Sequence, residues 1–94
     1  MIERDVKRPL KKLLDEIGAY QFWPVQTGYG AATIDVLFCW RGQFYGVETK
    51  RPGVDHATLR QKQVMAAIEL AGGRCCLEND PALPAVRGML ELNA

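Results

Sequence analysis

Thr33-Ile34-Asp35-Val36-Leu37-Phe38-Cys39-Trp40-Arg41-Gly42-Gln43-Phe44-Tyr45-Gly46-Val47-Glu48-Thr49-Lys50 reads as two strands joined by a tight turn. Thr33 to Trp40 and Gln43 to Thr49 are rich in β-branched and aromatic side chains, and Arg41-Gly42 stands where a two-residue hairpin turn belongs. Folding the chain there sets Asp35 directly opposite Glu48, so that the two carboxylates share one face of the sheet. Lys50, two residues past Glu48, falls on that face as well. A longer turn would instead make the acids diagonal neighbours or send them to opposite faces.

Two acids opposed on adjacent strands repel each other and weaken the sheet unless something compensates. Ile34, Val36, Phe38, Tyr45 and Val47 surround them, so Asp35 and Glu48 interrupt strands that are otherwise apolar, and burying such groups without partners is costly. A divalent cation is one compensation, because hard carboxylate oxygens suit Mg²⁺ or Mn²⁺. An Asp35–Lys50 or Glu48–Lys50 ion pair at a strand edge, with no chemistry attached, is the other.

Outward from the hairpin, Ile2, Val6, Leu10, Leu13, Leu14 and Ile17 recur at spacings of three and four, an amphipathic helix ended by Gly18. Pro9 either kinks that helix or marks a looser turn before a regular helix that begins near residue 8. Residues 20 to 26 read as a short strand made irregular by Pro24, and Thr27 to Ala32 as a loop. Beyond the hairpin, Arg51 to His56 is a loop, and a second helix runs from about Thr58 to Ala71 before Gly72-Gly73. Arg74 to Glu78 is a further strand. Asp80-Pro81 resembles an N-cap followed by a first-turn proline, which predicts a last helix over 81–92. The order α-β-β-β-α-β-α implies an α/β fold, a mixed sheet with helices packed on it.

The 94 residues suffice for one domain, 1–94, and a hydrophobic content of 48% excludes a disordered tail. A domain this small covers its apolar surface incompletely, so self-association is expected. No apolar run is long enough to cross a membrane. Met1 to Asp5 does not begin a signal-peptide core, and an intracellular, cytoplasmic protein is expected. The three cysteines, two of them adjacent, fit neither a zinc knuckle nor a structural disulfide, and mostly buried, reduced thiols are expected. A net charge of +1 gives no argument for nucleic acid. Arg4, Lys7, Arg8, Lys11 and Lys12 nevertheless gather positive charge on the first helix, as a solvated face or a phosphate-facing one.

Other residues also admit two readings. Thr58-x-x-Gln61 is a capping box, and Gln61 either closes the helix or reaches the acidic site. Glu3 is a helix-start acid. His56 is a lone loop histidine. Trp23, Tyr29 and Trp40 are able to stack on bases, although core packing or a subunit contact suits the tryptophans better.

Asp35, then Glu48-Thr49-Lys50 on the next strand, resembles the signature of the PD-(D/E)XK nucleases, whose restriction-endonuclease-like core runs α-β-β-β-α-β. More closely, nearly the whole chain resembles the VRR-NUC family of virus-type replication-repair nuclease domains. Glu3, Thr27-Gly28-Tyr29-Gly30, Asp35, Glu48-Thr49-Lys50, Thr58-Leu59-Arg60-Gln61 and Gly72-Gly73 stand where that family's pattern has a helix-start glutamate, a glycine-containing loop, the aspartate, E-x-K, T-x-x-Q and Gly-Gly. Ala32 departs from it, as a glycine is usual there, and so does Pro9. The resemblance implies Mg²⁺-dependent hydrolysis of DNA phosphodiester bonds, with Mn²⁺ as a substitute. Asp35, Glu48 and the backbone carbonyl of Thr49 would bind the ion, Lys50 would act on the nucleophile or the transition state, and Gln61 and Glu3 would join the catalytic set. It further implies a stand-alone phage or bacterial replication and repair nuclease selective for branched DNA such as flaps or Holliday junctions. It supports a homodimer without requiring one, since related domains fused to larger chains act on flaps as monomers. The competing readings are a catalytically inactive nucleic-acid-binding module of the same fold within a larger assembly, and a purely structural oligomerisation domain. The latter leaves the opposed acids unexplained.

Overall fold

Arg41 and Gly42 both take positive φ, 51° and 77°, the combination that matches the right-handed twist of a two-residue hairpin. The Arg41 guanidinium lies 4.4 Å from the centroid of the Trp40 ring, a cation–π contact that offsets part of the cost of a non-glycine residue in this region. The turn sets the register expected from the sequence. Val36 pairs with Val47, Leu37 with Gly46, Phe38 with Tyr45, Cys39 with Phe44 and Trp40 with Gln43.

The computed structural model describes residues 1–25 and 33–92. Its elements are α1 (Arg4–Ile17), β1 (Tyr20–Phe22), β2 (Val36–Trp40), β3 (Gln43–Thr49), α2 (Leu59–Leu70), β4 (Arg74–Glu78) and α3 (Pro84–Met89). The four strands form one mixed sheet in the order β1-β2-β3-β4. β1 and β3 run antiparallel to β2, and β4 runs parallel to β3 after the α2 crossover. The fold is therefore α/β, a mixed sheet flanked by helices. No helix among the described residues is long and apolar enough to cross a membrane.

One face of the sheet builds the core. Val36, Phe38, Tyr45 and Val47 meet Val6, Leu10, Leu13 and Leu14 of α1 and Leu83, Val86 and Leu90 around α3. Phe38 and Tyr45, a cross-strand pair, stack with centroids 5.0 Å apart. Trp23 and Trp40 pack against this core, half-buried, and Trp40 Nε1 donates to the Ile17 carbonyl at 3.1 Å. The opposite face is covered only in part. α2 packs over β3 and β4 without burying any residue completely, while Tyr20, Phe22 and Phe44 stay exposed. Gly46 permits the close approach on that side, since a Cβ there would collide with Ile34 Cδ1 and crowd Ile68.

Several boundaries differ from the sequence reading. Of the two alternatives at Pro9, the later start near residue 8 is not the one formed: α1 begins at Arg4 and runs through the proline, whose missing N–H forfeits one bond while the buried apolar stripe holds the helix. Gly18, at φ 75°, ends it. β1 stops at Phe22, short of Pro24. β2 begins at Val36 rather than Thr33, leaving Asp35 in a bend. The last helix starts at Pro84 rather than Pro81. Asp80 accepts from the Ala82 N–H in a local turn, and Leu83, at φ 60°, breaks the run while burying its side chain. Cys39 is exposed and Cys75 and Cys76 are half-buried, all three free, so the expectation of mostly buried thiols fails for Cys39 and is met only in part by the other two. Burial pushes the Cys75 and Cys76 thiols up to about 11 and about 12, which keeps both protonated. Gln26, the Thr27-Gly28-Tyr29-Gly30 loop and Ala32 lie outside the described residues.

Candidate metal centre

Glu48 sits near the end of β3, with only 2% of its side chain exposed. Its Oε1 accepts from the Asp35 N–H at 3.2 Å, and its Oε2 accepts from Gln61 Nε2 at 2.8 Å. The Lys50 ammonium lies 3.4 Å from the same Oε2. A carboxylate so enclosed resists ionisation. Burial, and next the Asp35 charge, raise its pKa to about 7 against the opposing pull of Lys50.

Asp35 reaches this cluster differently from the sequence expectation. The bend at its position interrupts the strand alternation: the Ile34 side chain packs towards Gly46 on the α2 face, and the Asp35 carboxylate turns to Thr49. Asp35 Oδ2 accepts from the Thr49 N–H at 2.9 Å and from the Thr49 hydroxyl. Thr49 points to the face opposite Glu48 by strand alternation. The two acids therefore meet around the end of the hairpin rather than side by side on one face.

Glu3 arrives from the start of α1. As the N-cap residue it makes no side-chain cap; instead its Oε1 lies 3.2 Å from the Thr49 hydroxyl. That hydroxyl has one proton to share between Glu3 and Asp35, so it cannot satisfy both. Glu3, Asp35 and Glu48 each bring an oxygen within 4.8 Å of the others. This is the one convergence of three or more acidic, histidine or cysteine groups among the described residues. Its donor set is all carboxylate, with no thiolate or imidazole, which fits a hard cation such as Mg²⁺ or Mn²⁺.

The Lys50 ammonium is held by two partners. It donates to Gln61 Oε1 at 3.0 Å as well as pairing with Glu48. Gln61 also completes the capping box: its N–H donates to Thr58 Oγ1 at 3.1 Å and its Oε1 accepts from the Thr58 N–H at 2.9 Å. The two readings of Gln61 are thus both realised. The cap fixes the first turn of α2, and the amide clamps Glu48 and Lys50 together.

His56 is exposed beside Asp55 and does not join the convergence of Glu3, Asp35 and Glu48. Of the α1 cations, Arg4, Arg8, Lys11 and Lys12 are exposed, whereas Lys7 Nζ lies 3.5 Å from Asp35 Oδ1. The sequence places Lys7 only in the positive cluster of the first helix and not beside the acids, although its position one turn after Glu3 was a usable signal. Glu78, buried on β4, was missed as well. Its carboxylate accepts from the N–H groups of Val86 at 3.0 Å and Asn79 at 3.2 Å, so it anchors α3 rather than serving the site. No family model matches the chain, and no curated protein matches it.

Proposed function

We propose that this chain is a divalent-metal-dependent DNA endonuclease with a restriction-endonuclease-like αβββαβ core, of the VRR-NUC kind. The observation that carries the proposal is the meeting of Glu3, Asp35 and Glu48 within 4.8 Å, with the Lys50 ammonium 3.4 Å from Glu48. An ion pair alone would need one acid and one base. Here three acids from α1, the bend before β2 and β3 are drawn together, with Gln61 holding the lysine beside them.

In this reading Asp35, Glu48 and the Thr49 carbonyl hold Mg²⁺ or Mn²⁺, and Glu3 extends the carboxylate set. When bound, the ion supplies Lewis acidity and a more acidic water for attack on the phosphorus. Thr49 steers Asp35 through its N–H and hydroxyl. Lys50, its position set by Gln61, orients the attacking water or balances charge as it gathers on the phosphate oxygens. Hydrolysis adds water across one P–O bond and yields a phosphate end and a hydroxyl end.

The reading extends to a homodimer acting on branched DNA. Tyr20, Phe22 and Phe44 leave apolar surface open on the α2 side of the sheet, where a groove of about 600 Å³ runs between α2 and β3. A two-fold pair would bring two sites to the two strands of a junction. The test is a panel of labelled single-strand, duplex, flap, splayed-arm and four-way DNAs with Mg²⁺ or Mn²⁺, alongside light scattering. Metal-dependent cleavage with preference for branched forms is expected. A monomer that cuts flaps and ignores junctions removes the resolvase assignment, and absence of cleavage on every substrate removes the nuclease.

A further inference from the structure

Two ammonium groups face the acid cluster, and they are held in different ways. Lys50 is largely covered and is fixed by Glu48 and by Gln61. Lys7 comes from α1, one helical turn after Glu3, and its side chain is 39% exposed. Its Nζ lies 3.5 Å from Asp35 Oδ1 and 4.0 Å from Glu3 Oε1. Both separations are longer than a strong charge-assisted hydrogen bond, so the ammonium is held loosely. Asp35 divides its two oxygens accordingly: Oδ2 takes the Thr49 donors, while Oδ1 faces Lys7.

We propose that Lys7 is the internal counter-ion of the acid cluster, occupying Asp35 and Glu3 in the metal-free protein and yielding its place to the divalent cation. This rests on the metal-centre reading of Glu3, Asp35 and Glu48. An ammonium and a divalent ion drawn to the same two carboxylates repel each other, so one must retreat as the other enters. Lys50 is clamped and stays. Lys7, on a flexible stem at the solvent edge, swings out. α1 therefore delivers an acid that joins the site and a base that competes for it, and Lys7 sets metal affinity below what the three carboxylates alone would give.

The test is calorimetric titration of metal-stripped protein with Mn²⁺, together with thermal melting in a chelator, for wild type, Lys7→Met and Lys7→Arg. Lys7→Met is expected to bind Mn²⁺ about tenfold more tightly, and Lys7→Arg to stay within about twofold of wild type, because the first removes the competing charge and the second keeps it. Metal-free Lys7→Met is also expected to melt below wild type, since the acids then face one another with one cation fewer. Tighter binding with lower melting is a pairing that loss of structure does not produce, because a damaged site binds metal more weakly. Wild type that binds Mn²⁺ with Lys7→Met equal or weaker overturns the role of Lys7 and leaves the metal centre standing. Wild type that binds no Mn²⁺ overturns both.

Discussion

Gln61 donates from Nε2 to Glu48 Oε2 at 2.8 Å, so a residue that closes the first turn of α2 also reaches the most buried acid of the site. Its Oε1 serves Thr58 and Lys50 together. Gln61→Ala should therefore fail on two counts. Loss of the reciprocal cap is expected to cost on the order of 1 kcal/mol, and the freed Lys50 and Glu48 should lower cleavage about tenfold or more. Urea denaturation and initial rates measure the two effects separately. Lower stability with unchanged cleavage would return Gln61 to the cap alone.

Asp35 holds the buried Thr49 N–H, so removing its carboxylate outright disturbs more than the proposed metal centre. Asp35→Ala leaves that donor unpaired, at an expected cost of about 1–3 kcal/mol. Asp35→Asn keeps an acceptor and removes the charge that repels Glu48, so it should melt above Asp35→Ala and close to wild type. Metal binding and cleavage should be lost in both. Equal melting of the two variants would contradict the structural role given to Oδ2.

The raised pKa of Glu48 has a definite sign. Between the ordinary value of 4.5 and about 7, the folded metal-free chain holds a proton at Glu48 that the unfolded chain has released. Its contribution to stability is complete at the acidic end of that window and is lost as pH rises through it, with a slope of up to ~1.4 kcal/mol per pH unit. Denaturation in a chelator across the window should show the decline, and Glu48→Gln should flatten it. Metal binding should release a proton over the same range, so affinity rises with pH towards about 7. A wild-type stability that climbs through the window contradicts the assignment.

Lys50 pairs with Glu48 and is proposed to act on the reacting phosphate. Lys50→Met should keep Mn²⁺ binding while lowering kcat by about 100-fold or more. Calorimetry and single-turnover kinetics separate these quantities. Loss of metal affinity, with cleavage merely following occupancy, would make Lys50 a support for Glu48 alone.

The hairpin was legible because a two-residue turn leaves one register, and that register brings Asp35 near Glu48 whatever the finer geometry. Glu48 and Thr49 close β3 and Lys50 follows directly after it, and the Thr58–Gln61 spacing announces its own cap. The turning of Asp35 was hidden, because Ile34-Asp35-Val36 alternates as a regular strand would and only the packing of Ile34 against Gly46 reveals the bend. Lys7 was hidden among five cations on one helix, where solvation is the ordinary fate of a charge. The start of α3 was misplaced because Asp80-Pro81 mimics a helix entry, whereas the left-handed Leu83 and the buried Glu78 carboxylate set the true one.

The carboxylates of Asp35 and Glu48 are proposed to hold the cation with which this chain cuts DNA. The most direct test of this is cleavage of labelled branched DNA by wild type, Asp35→Asn and Glu48→Gln, each with Mg²⁺, with Mn²⁺ and with chelator. The expected result is cleavage by wild type only, only with metal, while both variants keep wild-type circular dichroism. Cleavage by either variant at the wild-type rate, or by wild type in chelator, would contradict the account.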